Sequence, residues 1–340
     1  MVIRLTSKKV QVVDSIESIN NTFIERGWSD GLPVIPPTEE AVEKMLSNMA
    51  RDPSDVVMTV PPQWSKATVE KIAINAVMAG CLPEYLPIIV TALEAMSAEQ
   101  FNLRGMQATT YPVAYLLIVN GPIAKKLDIN GNSGVFGPGW RSNVTIARAI
   151  RLILNNIGGA VPGKTDMATQ GKHIFCIAEN EDENPWEPLH VERGFEASAN
   201  IVTVAAAENP HNINDHHAIN ANQVLTNVCS VMATMTNNNI LTQLGEVIVA
   251  LGPEHAATIA RDGLTKNDIR NFIHANAVVP RKNFHHRIIE RYYRDFNEDA
   301  LIPITPNKED VAIIVAGGPG KHSSFLPSFG QTKSVTKPIS

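Results

Sequence analysis

Residues 173–217, HIFCIAENEDENPWEPLHVERGFEASANIVTVAAAENPHNINDHH, repeat one device: a short apolar run that ends in Glu-Asn. The first run, Ile174 to Ala178, breaks into Glu179, Asn180, Glu181, Asp182 and Glu183; the second, Ile201 to Ala207, breaks into Glu208, Asn209, His211, Asp215, His216 and His217. Apolar runs of this length, bounded by polar residues, predict two interior strands. In open α/β sheets, ligands gather beyond the carboxyl ends of such strands, so both runs are expected to deliver polar clusters to one rim.

The same pattern recurs elsewhere in the chain. LLIVNGPIA at 116–124, VIVALGPEHA at 247–256 and AIIVAGGPGKH at 312–322 each read as an apolar strand broken by Gly-Pro or Gly-Gly-Pro. No fixed short period links them, so they suggest a repeated strand-to-helix device more than a true repeat. Helical stretches separate them: Thr38 is placed to cap a helix with Val42, Met45 and Leu46 inward, Gly80 to end another, and Thr265 to start one containing Ile269 and Ile273. The fold class expected is α/β, with mixed or largely parallel sheet layers, helices, and polar loops at strand ends. An amphipathic N-terminal arm, residues 1–37, is expected before a first lobe at 38–170 and a second at 171–340.

Composition bounds the function classes. With 340 residues, 44% hydrophobic and 19% charged, the chain carries enough apolar material for one large or two medium domains. A net charge of -5 gives no basic field, so no nucleic acid is expected as a partner. No apolar run approaches the roughly 20 residues of a spanning helix, and the N-terminus lacks a signal-peptide core. No membrane partner and a cytoplasmic location are therefore expected. Three scattered cysteines fit a reducing compartment.

Four constellations carry chemistry. Glu208, His211, Asp215 and His216 follow a strand within ten residues, and imidazole with carboxylate is a ligand set for a divalent transition metal. His211, Asp215 and His216 are the candidate ligands; with Glu208 or Glu179 they are equally placed for acid/base catalysis. The alternative is a capping loop with exposed histidines. The glycine-rich loop at 131–143 brings Gly137, Gly139, Arg141, Ser142 and Asn143 to a helix start, where an anion could be held. The other reading is a loop that packs Phe136 and Trp140. A second loop, 317–324, offers Gly318, Gly320, Lys321, His322 and Ser323 to the same anion. Cys81 sits between Gly80 and Pro83 at a helix N-terminus, a position that favours the thiolate, or it simply fills a tight corner. GGAVPGKT at 158–165 matches the phosphate-loop pattern but lacks the strand-loop-helix context, so no nucleotide is expected. Residues 281–296 put several Arg and His residues beside Phe284 and Tyr292 and read as a solvated basic face, or as a docking surface for an acidic partner.

WSDGLPVIPPT at 28–38, AINAVMAGCLPEYLP at 73–87, FGPGWRSN at 136–143, GGAVPGKTDM at 158–167, ENPWEPLHVERGF at 183–195, LGPEHAATIARDG at 251–263 and AGGPGKHS at 316–323 together resemble a largely uncharacterised bacterial family. Some members stand beside, or are joined to, a small domain named for a selenocysteine-Gly-Ser-Cys motif. The resemblance implies thiol or selenol chemistry nearby. This chain has no Cys-Gly-Ser-Cys of its own, so a thiol or selenol partner protein would be the missing component, and Cys81 the main thiol left to meet it. The expectation is an enzyme acting on a small anionic organic molecule, as a homo-oligomer, by metal-assisted or acid/base hydrolysis or elimination. The alternatives are thiol chemistry at Cys81 and a non-catalytic scaffold subunit.

Overall fold

The computed structural model describes residues 5–340. A hairpin of β1 (Val56–Val60) and β2 (Ser65–Thr68) precedes the first main strand, β3 (Ala114–Asn120). β4 (Phe175–Ala178), β5 (Ile201–Ala207), β6 (His211–Asn214) and β7 (Val247–Leu251) follow, then a small pair, β8 (Val278–Pro280) and β9 (Leu301–Pro303). β10 (Val311–Val315), β11 (His322–Leu326) and β12 (Val335–Pro338) complete the chain.

Two four-stranded mixed sheets result, ordered β12-β5-β3-β4 and β6-β11-β7-β10. Their designs correspond strand for strand. In each, the strand that ends in Gly-Pro (β3 or β7) has a parallel neighbour (β4 or β10) and an antiparallel neighbour (β5 or β11), beyond which an antiparallel edge strand closes the set. The edge strands are exchanged. β6 follows β5 directly yet pairs in the second sheet, while β12 follows β11 and pairs in the first.

Alternation along the strands explains the layering. Tyr115, Leu117 and Val119 of β3, with Val202 and Val204 of β5, face the helices Val69–Ala79, Leu86–Met96 and Arg141–Asn156. Leu116, Ile118, Ala205 and Ala207 face the other way and meet Ile248, Ala250, Ala312 and Ile314 of the second sheet. The outer face of that sheet, Val247, Val249, Val311 and Ile313, is covered by Ala221–Met232, Pro253–Arg261 and Lys266–Asn276. The order of layers is helix, sheet, sheet, helix. Every residue of β3, β5, β7 and β10 is buried, which is why these strands read as unbroken apolar runs.

Local expectations hold where capping chemistry is strong. Thr38 caps Glu39–Leu46, Gly80 takes a left-handed φ of 88° after Val69–Ala79, and Thr265 with Asp268 forms a complete capping box. Other boundaries differ. The helix that Gly80 ends begins only at Val69, because residues 65–68 before it pair with β1 as β2. The helix in the basic stretch covers only His286–Tyr292, with Phe284 and Tyr293 buried. The division at residue 170 is not where the sheets part, since β4, β5 and β12 all belong with β3.

The N-terminal segment contains the expected helix, Ile16–Glu25, but it is strapped to the body rather than standing off as an arm. Thr6 and Ser7 donate backbone N–H groups to the buried carboxylate of Glu70, Asn156 donates to Trp28 O, and Arg148 forms two 2.9 Å bonds with Asp30.

Candidate functional site

The predicted rim does not assemble as a single centre. Glu179 follows β4 and is buried; its carboxylate accepts from Asn120 Nδ2 (2.7 Å), the Leu189 N–H (2.8 Å) and Asn184 Nδ2 (2.8 Å). Burial pushes its pKa up, against the pull of Lys266 and of the Leu189 and Asn120 donors. Its bonds fasten the loop at 180–189 to the strand ends. Beside it, Asn120 Oδ1 and His190 Nδ1 are buried with no protein partner, and His190 Nδ1 lies 3.9 Å from Glu181.

Glu208 follows β5, half-buried, and burial raises its pKa. His211 is exposed on β6, opposite Phe325 of β11. Asp215 turns inward instead: its oxygens accept from the N–H groups of His217 and Ala218 and from Asn227 Nδ2 at 2.7 Å. Burial opposes the charge, but those donors outweigh it and hold the carboxyl below its usual range. The capping alternative describes Asp215, although the helix itself starts later, at Asn220. Among the described residues no three His, Cys, Asp or Glu side chains are grouped so as to hold a metal ion. His211, Asp215 and His216 are therefore not a ligand triad, because the strand exposes the first and the turn commits the second to its own backbone.

The two glycine-rich loops meet each other. Gly317 N–H donates to Gly131 O, and a Cβ on Gly318 would lie 1.7 Å from Ser133 Oγ. Their polar groups are largely spent on the fold. Arg141 donates to Gly80 O, Ser142 to Asp128 O, and Asn143 brackets the Asn130 backbone. Gly320 N–H donates to Glu254, and Lys321 Nζ to the carbonyls of His216 and Ala218. His322 and Ser323 belong to β11 rather than to a loop. Of the expected anion-binding residues, Gly137 and Asn143 line a cleft; Gly139 does not.

Ser323 is buried against a residue the sequence did not single out, His255. The His255 Nε2 lies 3.1 Å from Asp215 O, which can only accept, so Nε2 carries the proton. Nδ1, 2.7 Å from Ser323 Oγ, then accepts the hydroxyl proton, and Oγ accepts from Gly252 N–H. This bridge joins the start of Pro253–Arg261 to β11 and to the end of β6.

Cys81 is buried, its thiol donating to Thr145 O at 3.3 Å. Burial pushes its pKa up to about 12, against smaller contributions from Thr145, Arg141 and Arg148, which disfavours the thiolate. The corner-filling reading describes it. The phosphate-loop lookalike is likewise a turn: the N–H groups of Lys164, Thr165 and Asp166 all converge on Val161 O, leaving none of these three for a phosphate.

What the structure does open is a cleft of about 510 Å³ beside β4. Residues 135–138 form one wall, Arg141–Asn156 a second, and residues 172–176 a third. Leu32, Val135, Phe136, Pro138 and Phe175 make it largely apolar, with Phe136 edge-on to Phe175 at 5.5 Å. Its polar wall carries Arg148, Arg151, Lys172 and His173. Arg148 is neutralised by Asp30. The buried Asp166, however, serves two cations: Arg151 at 3.3 Å and Lys172 at 2.7 Å. Three cations thus face two carboxylates, leaving one positive charge in excess. Burial pulls Lys172 below the ordinary amine range, with Asp166 opposing that fall. These residues come from 30, 148–151, 166 and 172–176, and only the regular spacing of Arg148 and Arg151 on one helix face offered a signal.

No protein-family model, curated protein or solved structure matches the chain.

Proposed function

We propose that the chain is an enzyme that binds a small organic anion, a carboxylate or phosphate ester, in the cleft beside β4 and performs proton transfer on it. The observation that carries this reading is the sharing of Asp166 between Arg151 and Lys172. A half-buried guanidinium that has only part of a carboxylate is a strong anion partner, because a low-dielectric wall strengthens a charge-assisted bond. The volume suits a ligand of modest size, and the apolar wall around Phe136 and Phe175 suits its carbon skeleton. His173, exposed at the mouth, is the side chain suited to move a proton, a step common to hydrolysis and elimination.

The test is calorimetric titration with a panel of small carboxylates and phosphate esters, followed by turnover assays on those that bind. Arg151→Gln leaves Asp166 its Lys172 partner and should weaken binding by roughly tenfold or more. His173→Gln should retain binding and lose about 100-fold or more in turnover. If no anion binds, or if Arg151→Gln binds as well as the unaltered chain, the reading is wrong.

A further inference from the structure

At the edge of the second sheet, β6 and β11 bring His216 and His322 together across 106 residues of sequence. Both rings are exposed, their Nε2 atoms are 3.1 Å apart, and their planes cross at 81° with centroids 5.0 Å apart. His322 Nδ1 lies 2.9 Å from Asn212 Oδ1, an acceptor, so Nδ1 carries the proton and Nε2 keeps its lone pair. Neither ring floats. His322 is held by strand pairing opposite Asn214, and His216 follows Asp215, whose carboxylate is bonded to the next turn of backbone.

Two arrangements place two Nε2 atoms this close. A straight N–H···N bond would set the ring centroids about 5.4 Å apart, the sum of the bond and the two ring radii. Convergence of both lone pairs on one ion, at about 2.0–2.1 Å from each, would set them about 4.8 Å apart with an angle near 100° at the ion. The observed 5.0 Å is closer to convergence.

We propose that His216 and His322 form a two-histidine site for a transition-metal dication of the zinc class, with Asn212 as the partner that orients His322. Neutral imidazole favours zinc, nickel or copper over magnesium or calcium, whose preferred ligands are oxygens. An N–H···O bond on the far ring nitrogen is the usual outer contact of a metal-binding histidine. Two protein ligands leave at least two positions of a tetrahedral ion to water or to a small ligand. The site is distinct from the cleft, which lies beside β4 of the other sheet.

The experiment uses the full chain without a histidine tag, stripped with chelator and dialysed. Zn2+ is titrated by calorimetry and Co2+ by visible absorption, with Mg2+ as the contrasting ion. One saturable Zn2+ site is expected, weakened at least tenfold in His216→Ala and in His322→Ala and by about tenfold in Asn212→Ala. His211→Ala, on the same strand but outside the pair, should bind as the unaltered chain does. In the unaltered chain, Zn2+ should protect His216 and His322 from diethyl pyrocarbonate, read by mass spectrometry, which gives the answer independently of any substitution. Absence of a saturable site, unchanged binding in both histidine variants, or equal protection of all surface histidines would overturn the proposal.

Discussion

His255 sits in the first turn of Pro253–Arg261 with both ring nitrogens bonded and the ring buried. Burial lowers its pKa, Lys321 and His322 add to the fall, and Asp215 opposes it. The sign of the consequence follows from linkage. Below the ordinary histidine pKa of about 6.5 the unfolded chain takes up a proton that the folded chain resists, so stability falls as pH drops through 6.5 toward the lower folded value. Above that window the contribution is constant. Denaturant midpoints measured from pH 7.5 to 5.5 should decline, with this group adding up to about 1.4 kcal/mol per pH unit. His255→Gln, which does not titrate, should show a shallower decline; an equal slope would refute the assignment. Cys81 gives the complementary case. A buried thiol with its pKa pushed up to about 12 should react with a thiol reagent at pH 7.5 only through opening of the fold. Native protein should release thiol slowly and denatured protein all three at once; a fast single equivalent mapped to Cys81 would restore the reactive-thiol reading.

At the scale of elements, the Gly-Pro breaks that end β3 and β7 have a physical reason that the sequence alone left open. A Cβ on Gly121 would lie 2.0 Å from Ala199 O, and one on Gly252 would lie 2.1 Å from His322 O. Both glycines let the strand end pass against the backbone of the antiparallel neighbour, in corresponding places of the two sheets. Gly252 has an ordinary φ of -66°, so Gly252→Ala isolates the close approach from backbone strain. It should cost roughly 1–3 kcal/mol, read as a lower denaturant midpoint. Gly163→Ala, with open space around it but a φ of 74°, should cost less, about 1 kcal/mol. The echo of LLIVNGPIA and VIVALGPEHA was therefore legible as a device, and those two do occupy equivalent positions. AIIVAGGPGKH does not join them: it belongs to β10, the counterpart of β4. β6 and β11 escaped notice because HNIN and HSSFL carry polar side chains to a sheet edge and to the His255 bridge, which removes the apolar alternation that marks a strand. The cleft escaped for a different reason: its charges are gathered from four separate stretches, and no local spacing encodes Asp166 between Arg151 and Lys172.

For the whole molecule, the exchange of edge strands decides what can fold alone. The first sheet is built from strands on both sides of residue 170, all four strands of the second lie after it, and the chain crosses between sheets twice, from β5 into β6 and from β11 into β12. The sheets also share an apolar interface of Leu116, Ile118, Ile248, Ile314 and several alanines, whose exposure on separation would cost about 25 cal/mol for each Å² of apolar surface. Fragment 171–340 keeps the whole second sheet but loses the β3 surface that covers its inner face, so neither 1–170 nor 171–340 should fold cooperatively alone. In 171–340, β4 would lose its strand partner and β5 would keep only β12; in 1–170, β3 would lose both neighbours. The full chain should unfold in one transition, with tryptophan fluorescence reporting the first sheet through Trp28 and the second through Trp186, which packs on each core respectively. Single-tryptophan variants retaining one or the other should give coincident denaturant midpoints. Separated midpoints, or a folded 171–340 fragment with cooperative unfolding, would show that the two sheets are independent units and that the exchanged strands contribute little to holding them together.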